Sequence, residues 1–234
     1  MTLHLLCAGA AKGLVGELEA SLAKDTGASL AARFGAVGAM KEALLAGEPC
    51  DVLVVTSAMV DELVIAGRLR GDTRADLGRM RTGIAVRRDA PLPDIGSPEA
   101  LRTALLDADA IYFPDPQRAT AGIHFANVMR ELGIHDTLAP RCRTFPNGAT
   151  AMGELAQAAT ARAIGCTQVT EIRYTPGVAL VGALPPQFEL ATVYSAAVTA
   201  RSGQAALAER FIALLAGPAS RERRSAGGFE LDPR

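Results

Sequence analysis

Residues 33–56 read RFGAVGAMKEALLAGEPCDVLVVT, and the order of their patterns decides the fold. The final run, DVLVVT (51–56), is apolar and largely β-branched, as expected of a strand buried on both faces of a parallel sheet. Ahead of it Gly35 and Gly38 mark a turn, residues 37–46 read as a helix, and Gly47 closes that helix. Working outward, residues 3–8 and 28–34 read as short strands. Between them Gly9 breaks the chain, and Leu14, Val15, Leu18 and Leu22 set one face of a helix ending at Gly27. Downstream, Val60, Leu63 and Val64 give the next helical face. Strands alternating with helices predict a parallel sheet with right-handed crossovers.

The regularity lapses over the polar residues 68–78 and resumes with a strand at 80–87 that ends at the Pro91/Pro93 loop. Ser97-Pro98-Glu99 is a helix start, with Ser97 as N-cap and Pro98 at the first helical position, leading through Leu101, Leu105 and Leu106. Strands at 110–113, 141–145, 162–166, 178–182 and 191–200 then alternate with helices at 119–132 and 149–159. Leu207, Phe211, Leu214 and Leu215 lie on one face of a further helix, and a last one runs from Pro218 to Gly227-Gly228. The second half repeats the architecture of the first with no flexible linker. Two chain crossings, near residues 83–87 and 192–197, are expected to join two α/β lobes as hinges.

The 234 residues suffice for two lobes of about 100 residues each, a usual domain size. With 24 Lys and Arg against 25 Asp and Glu, no net field draws nucleic acid or an anionic membrane. Aromatics make up only 4% and Trp is absent, so base-stacking platforms are lacking and no nucleic-acid partner is expected. Cys7, Cys50, Cys142 and Cys166 are scattered, without a C-x-x-C pair or a histidine cluster. They read as buried free thiols, and neither metal, cofactor nor disulfide framework is expected. The opening MTLHLLC has no basic n-region, and no apolar stretch is long enough for membrane insertion. The chain is expected to be cytoplasmic if Met1 is the natural start, and periplasmic if an export signal was removed ahead of it.

Four turns follow predicted strands and open helices with small residues: CAGAAKG (7–13), FGAVG (34–38), DPQRATAG (115–122) and FPNGAT (145–150). Small residues let a ligand approach the free N–H groups of a helix start, where the helix dipole also favours negative charge. All four lie at carboxyl ends of strands, where open parallel sheets bind their ligands. The candidate ligand-binding residues are Gly9, Ala10, Ala11, Lys12, Ala36, Val37, Thr120, Ala121, Gly122, Ala149 and Thr150. No G-x-G-x-x-G or G-K-[ST] motif supports a nucleotide.

The segments LLCAGAAKGL (5–14), RFGAVGAMKEALLAGEPCDVLVVT (33–56) and YFPDPQRATAGIHFANVMRELGI (112–134), with the closing helices ending in AGGFE (226–230), resemble the molybdate-binding-protein-like branch of the type II periplasmic solute-binding proteins. The likeness covers nearly the whole chain. It implies an α/β fold of two Rossmann-like lobes joined by two hinge crossovers, residues 1–83 with 196–234 and residues 84–195. An oxyanion would lie in the cleft between them, held by helix N-termini. Molybdate binders of the family add serine hydroxyls in the first two turns and a late tyrosine. Here those places hold Ala10 or Ala11, Gly35-Ala36-Val37, and the stretch 165–167, which has no tyrosine. A site with fewer hydroxyls suits a carboxylate, or a di- or tricarboxylic acid, to which Lys12, Arg118, Thr120 and His124 could add contacts.

No catalytic dyad is visible, so a small-anion-binding protein for uptake or sensing is the leading expectation, with a membrane permease as partner if the chain is exported. Some relatives of this fold are similar to isomerases of unsaturated carboxylic acids such as aconitate. Proton removal beside a carboxylate needs an anion cradle and one base, for which His124, Lys12 and Glu171 are candidates. Each also has an ordinary reading: His124 as a packed or surface side chain, Glu171 and Asp115 as helix caps or ion-pair partners, and Lys12 as a solvated lysine. Arg221, Arg223 and Arg224 read as a solvated helix face.

Overall fold

The computed structural model describes residues 1–231. One unit comprises Met1–Met80 with the chain from Thr192 onward, the other Arg81–Ala191. In the first, β1 (Thr2–Ala8), α1 (Lys12–Thr26), β2 (Ser29–Gly35), α2 (Val37–Leu45), β3 (Val52–Thr56) and α3 (Ser57–Ile65) alternate as the patterning requires. β1 pairs in parallel with both β2 and β3. Residues Val52 to Val55 are fully buried, which accounts for the absence of a polar face in DVLVVT. Gly27 ends α1 at φ 67°, a left-handed conformation in which its N–H donates to the Ala23 carbonyl (2.8 Å).

β4 (Ala75–Arg87) begins five residues before its predicted start and runs through the unit boundary. Gly78, at φ 139°, interrupts the alternation of its first half, so the strand is hidden in a stretch that reads as irregular. Paired N–H and C=O bonds between Arg79 and Glu230 hold it in place. The second unit continues with α4 (Pro98–Asp107), β5 (Ala110–Pro114), α5 (Thr120–Glu131), α6 (His135–Leu138), β6 (Cys142–Phe145), α7 (Gly148–Ala156), β7 (Ala163–Gln168), α8 (Val169–Arg173) and β8 (Val178–Ala183). β5 lies parallel to β6 and β7, whereas β4 is antiparallel to β7 and β8. Strand alternation sends Ile84, Val86, Ile111, Phe113, Ile164 and Cys166 into one apolar layer with Phe125 of α5. Ala85 and Ala163 go to the opposite layer, with Met152 and Leu155 of α7. α5 and α7 therefore cover opposite faces of this sheet.

β9 (Ala191–Val198) returns the chain to the first unit, antiparallel to β3, followed by α9 (Ala205–Ala216) and α10 (Arg221–Gly227). α9 packs against α1. One expectation fails here: Arg224 is only 6% exposed. Its guanidinium donates to the carbonyls of Leu77 (2.7 Å), Ala216 (2.7 Å) and Gly217 (2.9 Å) and to Ser220 Oγ (3.1 Å). A fork of five donors can satisfy several orphan carbonyls around a helix end, and such carbonyl clusters leave no mark in a charge pattern. Among the thiols, Cys7 and Cys166 are buried, while Cys50 and Cys142 are half-buried; all four are free.

Candidate ligand-binding site

In the first unit the two candidate turns are brought together by strand register. Ala8 at the end of β1 is level with Gly35 at the end of β2, so both turns leave adjacent parallel strands at the same height. Gly9, Ala10 and Ala11 form a buried 3-10 turn, and Ala11 is the N-cap of α1, with no side-chain hydrogen bond. Lys12 opens α1, exposed, with Nζ 5.8 Å from the centre of the Phe34 ring. Ala36 is the N-cap of α2, and Val37 its first residue; no side chain caps this helix either. A Cβ on Gly35 would come within 2.6 Å of Met40 Cε, so the bare glycine lets α2 seat closely on the strand end.

In the second unit Pro114 of β5 is level with Phe145 of β6, which places the other two turns side by side at one sheet edge. Asp115 folds the first of them, its Oδ1 accepting from the N–H groups of Gln117 (2.7 Å) and Arg118 (3.2 Å). It therefore shapes the loop and caps no helix. α5 starts from Ala119 with no side-chain cap. Thr120 is half-buried, Ala121 and Gly122 are buried, and a Cβ on Gly122 would lie 2.2 Å from the Pro114 carbonyl. The first turn of α5 is thus pressed onto the end of β5. His124, one residue past Ile123 on α5, donates from Nε2 to the Phe188 carbonyl (2.7 Å), which leaves Nδ1 of the neutral ring as an acceptor.

The fourth turn differs. Asn147 caps α7, its Oδ1 accepting from the N–H (2.9 Å) and hydroxyl (3.0 Å) of Thr150. The Ala149 N–H donates to Oε1 of Glu171 (3.2 Å), and Thr167 Oγ1 donates to Oε2 (2.5 Å). The Ala149 and Thr150 amides, expected to face a ligand, are engaged by protein acceptors. A Cβ on Gly148 would fall 1.9 Å from Thr167 Oγ1 and 2.0 Å from Glu171 Oε2, so only glycine leaves room for this carboxyl at the helix start. Glu171 is 7% exposed, and burial pushes its pKa above the ordinary value, opposed by hydrogen bonds from Thr167 and the amides of Ala149, Gln168 and Gly148. The sequence signal for this arrangement was the glycine directly after the N-cap.

Cavities of about 290 Å³, lined by Val86, Pro91, Leu92 and Arg162 among others, and about 350 Å³, lined by Cys50, Arg68 and Arg201 among others, involve none of the four turns. No group of three or more His, Cys, Asp or Glu among the described residues is placed to hold a metal ion. No helix among them is long and apolar enough to cross a membrane.

A curated relative, the aconitate isomerase of a Pseudomonas species, is 28% identical over 221 residues, covering 92% of this chain and 82% of the relative. Among solved structures, the periplasmic molybdate-binding protein of Azotobacter vinelandii matches with a TM-score of 0.82 at 20% identity, over 99% of this chain and 100% of that one. The sulfate-binding protein of Mycobacterium tuberculosis matches with a TM-score of 0.73 at 16% identity, over 100% and 88%. These likenesses bear out the expected periplasmic-binding-protein fold. The family described as bacterial extracellular solute-binding proteins matches residues 3–230, and the chain belongs to it.

Proposed function

We propose that this protein binds a small anion through helix N-termini, as a solute-binding or sensing protein, and that organic carboxylates suit it better than tetrahedral oxyanions. One observation carries the reading. Among the described residues only α4 and α7 are capped by side chains, those of Ser97 and Asn147; of the other helix starts, α1, α2 and α5, which open from candidate turns, begin from Ala11, Ala36 and Ala119, which have no side-chain acceptor to offer. Alanine is a poor N-cap, because first-turn N–H groups then lack a partner; an anion can supply it. The candidate donors lie in the Gly9–Lys12 and Ala36–Val37 turns of one unit and in Thr120, Ala121 and Gly122 of the other. Ala149 and Thr150 contribute only if Glu171 and Asn147 release them. The molybdate- and sulfate-binding proteins of the same fold support anion binding. The missing serine hydroxyls favour a planar carboxylate, which needs fewer donors than a tetrahedral oxyanion. Transport would add a membrane permease as partner.

Calorimetric titration with molybdate, tungstate, sulfate, citrate and cis- and trans-aconitate tests this. At least one carboxylate should bind more tightly than all three oxyanions. Tight oxyanion binding would overturn the carboxylate preference, and no binding at all would overturn the anion site. A second reading, isomerisation of an unsaturated carboxylic acid, is favoured by the identity to aconitate isomerase, with Nδ1 of His124 as the candidate base.

A further inference from the structure

Thr82 of β4 and Gln168 of β7 are direct cross-strand partners in the second unit. The next pairs on the same face, Ile84 with Cys166 and Val86 with Ile164, belong to the apolar layer beneath α5. The ladder therefore ends in a polar pair where its pattern calls for an apolar one. Thr82 is 1% exposed and Gln168 2%. Thr82 Oγ1, Gln168 Nε2 and Gln168 Oε1 have no hydrogen-bond partner. The Thr82 backbone is already used, its N–H donating to the Leu190 carbonyl (3.1 Å) and its carbonyl accepting from Leu184 (3.1 Å). Buried polar atoms are nearly always paired, and three orphans on two adjacent side chains call for a partner from outside the chain.

The pair lies beside an uncapped helix start. β5 and β7 run in parallel with Tyr112 level with Gly165, so Gln168 falls three residues further along, at the height of Asp115. Gly122 closes against the backbone of Pro114 and Asp115, which sets the first turn of α5 at that same height. Phe125 places α5 on the face that carries Thr82 and Gln168.

Resting on the anion-binding reading, we infer that Gln168 and Thr82 form a specificity subsite for the hydroxyl group of a hydroxycarboxylic acid whose carboxylate sits on the first turn of α5. A hydroxyl accepts from Gln168 Nε2 and donates to Gln168 Oε1, with Thr82 Oγ1 able to take either role. A deprotonated oxyanion offers acceptors alone and leaves Oε1 unpaired. Both side chains are closed to solvent, so the ligand reaches them as neighbouring side chains shift; orphan polar atoms make the closed arrangement costly and the exchange favourable.

The test uses acid pairs that differ by one hydroxyl, citrate against tricarballylate and malate against succinate, titrated calorimetrically into wild type, Gln168→Met and Thr82→Val. Wild type should bind the hydroxy acid about tenfold more tightly in at least one pair, and both substitutions should erase that preference. Both should hold or raise the melting temperature without ligand, because they remove orphan polar atoms. The isosteric Thr82→Val carries the test if Gln168→Met does not fold. Equal binding within both pairs, or a preference unchanged by the substitutions, overturns the subsite. Wild type that binds molybdate but none of the four acids overturns the subsite while the anion site stands; wild type that binds none of these anions overturns both.

Discussion

Gly148 and Glu171 form a lock that tolerates no side chain at the first and little change at the second. Gly148→Ala drives a methyl into Thr167 Oγ1 and the Glu171 carboxyl, and overpacking of this kind costs about 1–3 kcal/mol; urea denaturation should show a lower midpoint at an unchanged slope. Glu171 itself makes stability depend on pH. Its folded pKa lies above the ordinary 4.5, so between the two values the folded state holds a proton that the unfolded chain has released, and stability falls as pH rises through that window. Against Glu171→Gln, which does not titrate, wild type should lose relative stability from about pH 4.5 upward and level off above the folded pKa. Urea midpoints of both proteins across that range check it, and a flat or rising difference would contradict it. Glu171 was legible as a helix-capping candidate. Its partner Thr167 and the unpaired Gln168 were not, because a buried polar side chain at the end of an apolar strand shows only once the neighbouring strand is in register.

At the scale of elements, the helix starts capped by side chains and the alanine starts that follow the candidate turns predict opposite trade-offs. Ser97→Ala removes the acceptor for the Ala100 N–H and should cost about 1 kcal/mol with no effect on ligand binding. Ala119→Ser supplies α5 with a cap; it should raise the melting temperature and weaken anion binding, since the new hydroxyl competes for the donors assigned to the ligand. Thermal melts and titrations of both variants check the pair, and an Ala119→Ser protein that binds as wild type would remove α5 from the site. The cap at Ser97-Pro98 could be read directly because its signal is local. α6 and α8 could not, since four and five residues carry too little periodicity. β4 reads short in the sequence because Gly78 and the exposed Asp76 and Arg79 interrupt its alternation.

For the whole molecule, the alternation of strands and helices made the α/β class legible, while ligand chemistry depends on which turns share a sheet edge, a fact of register that no single turn reveals. Whether a bound anion is only held or also converted is likewise a property of the whole protein. A binder gains stability by RT ln(1 + [L]/Kd) and leaves its ligand unchanged, so cis- or trans-aconitate that raises the melting temperature should be recovered intact after long incubation. An isomerase must move a proton next to a carboxylate. His124, the base proposed for it, has its ring held by the Phe188 carbonyl on Nε2, and a positioned general base contributes about 10²–10⁴-fold. On the binding reading, NMR of an aconitate incubation shows no interconversion above the uncatalysed rate, and His124→Ala changes affinity by about 0.5–1.5 kcal/mol, the worth of one neutral hydrogen bond. Interconversion by wild type that falls at least a hundredfold in His124→Ala would instead establish the enzyme with this imidazole as its base. Turnover that survives the substitution would make the protein an isomerase and move the base to another residue, with Glu171 next to test because burial already raises its proton affinity.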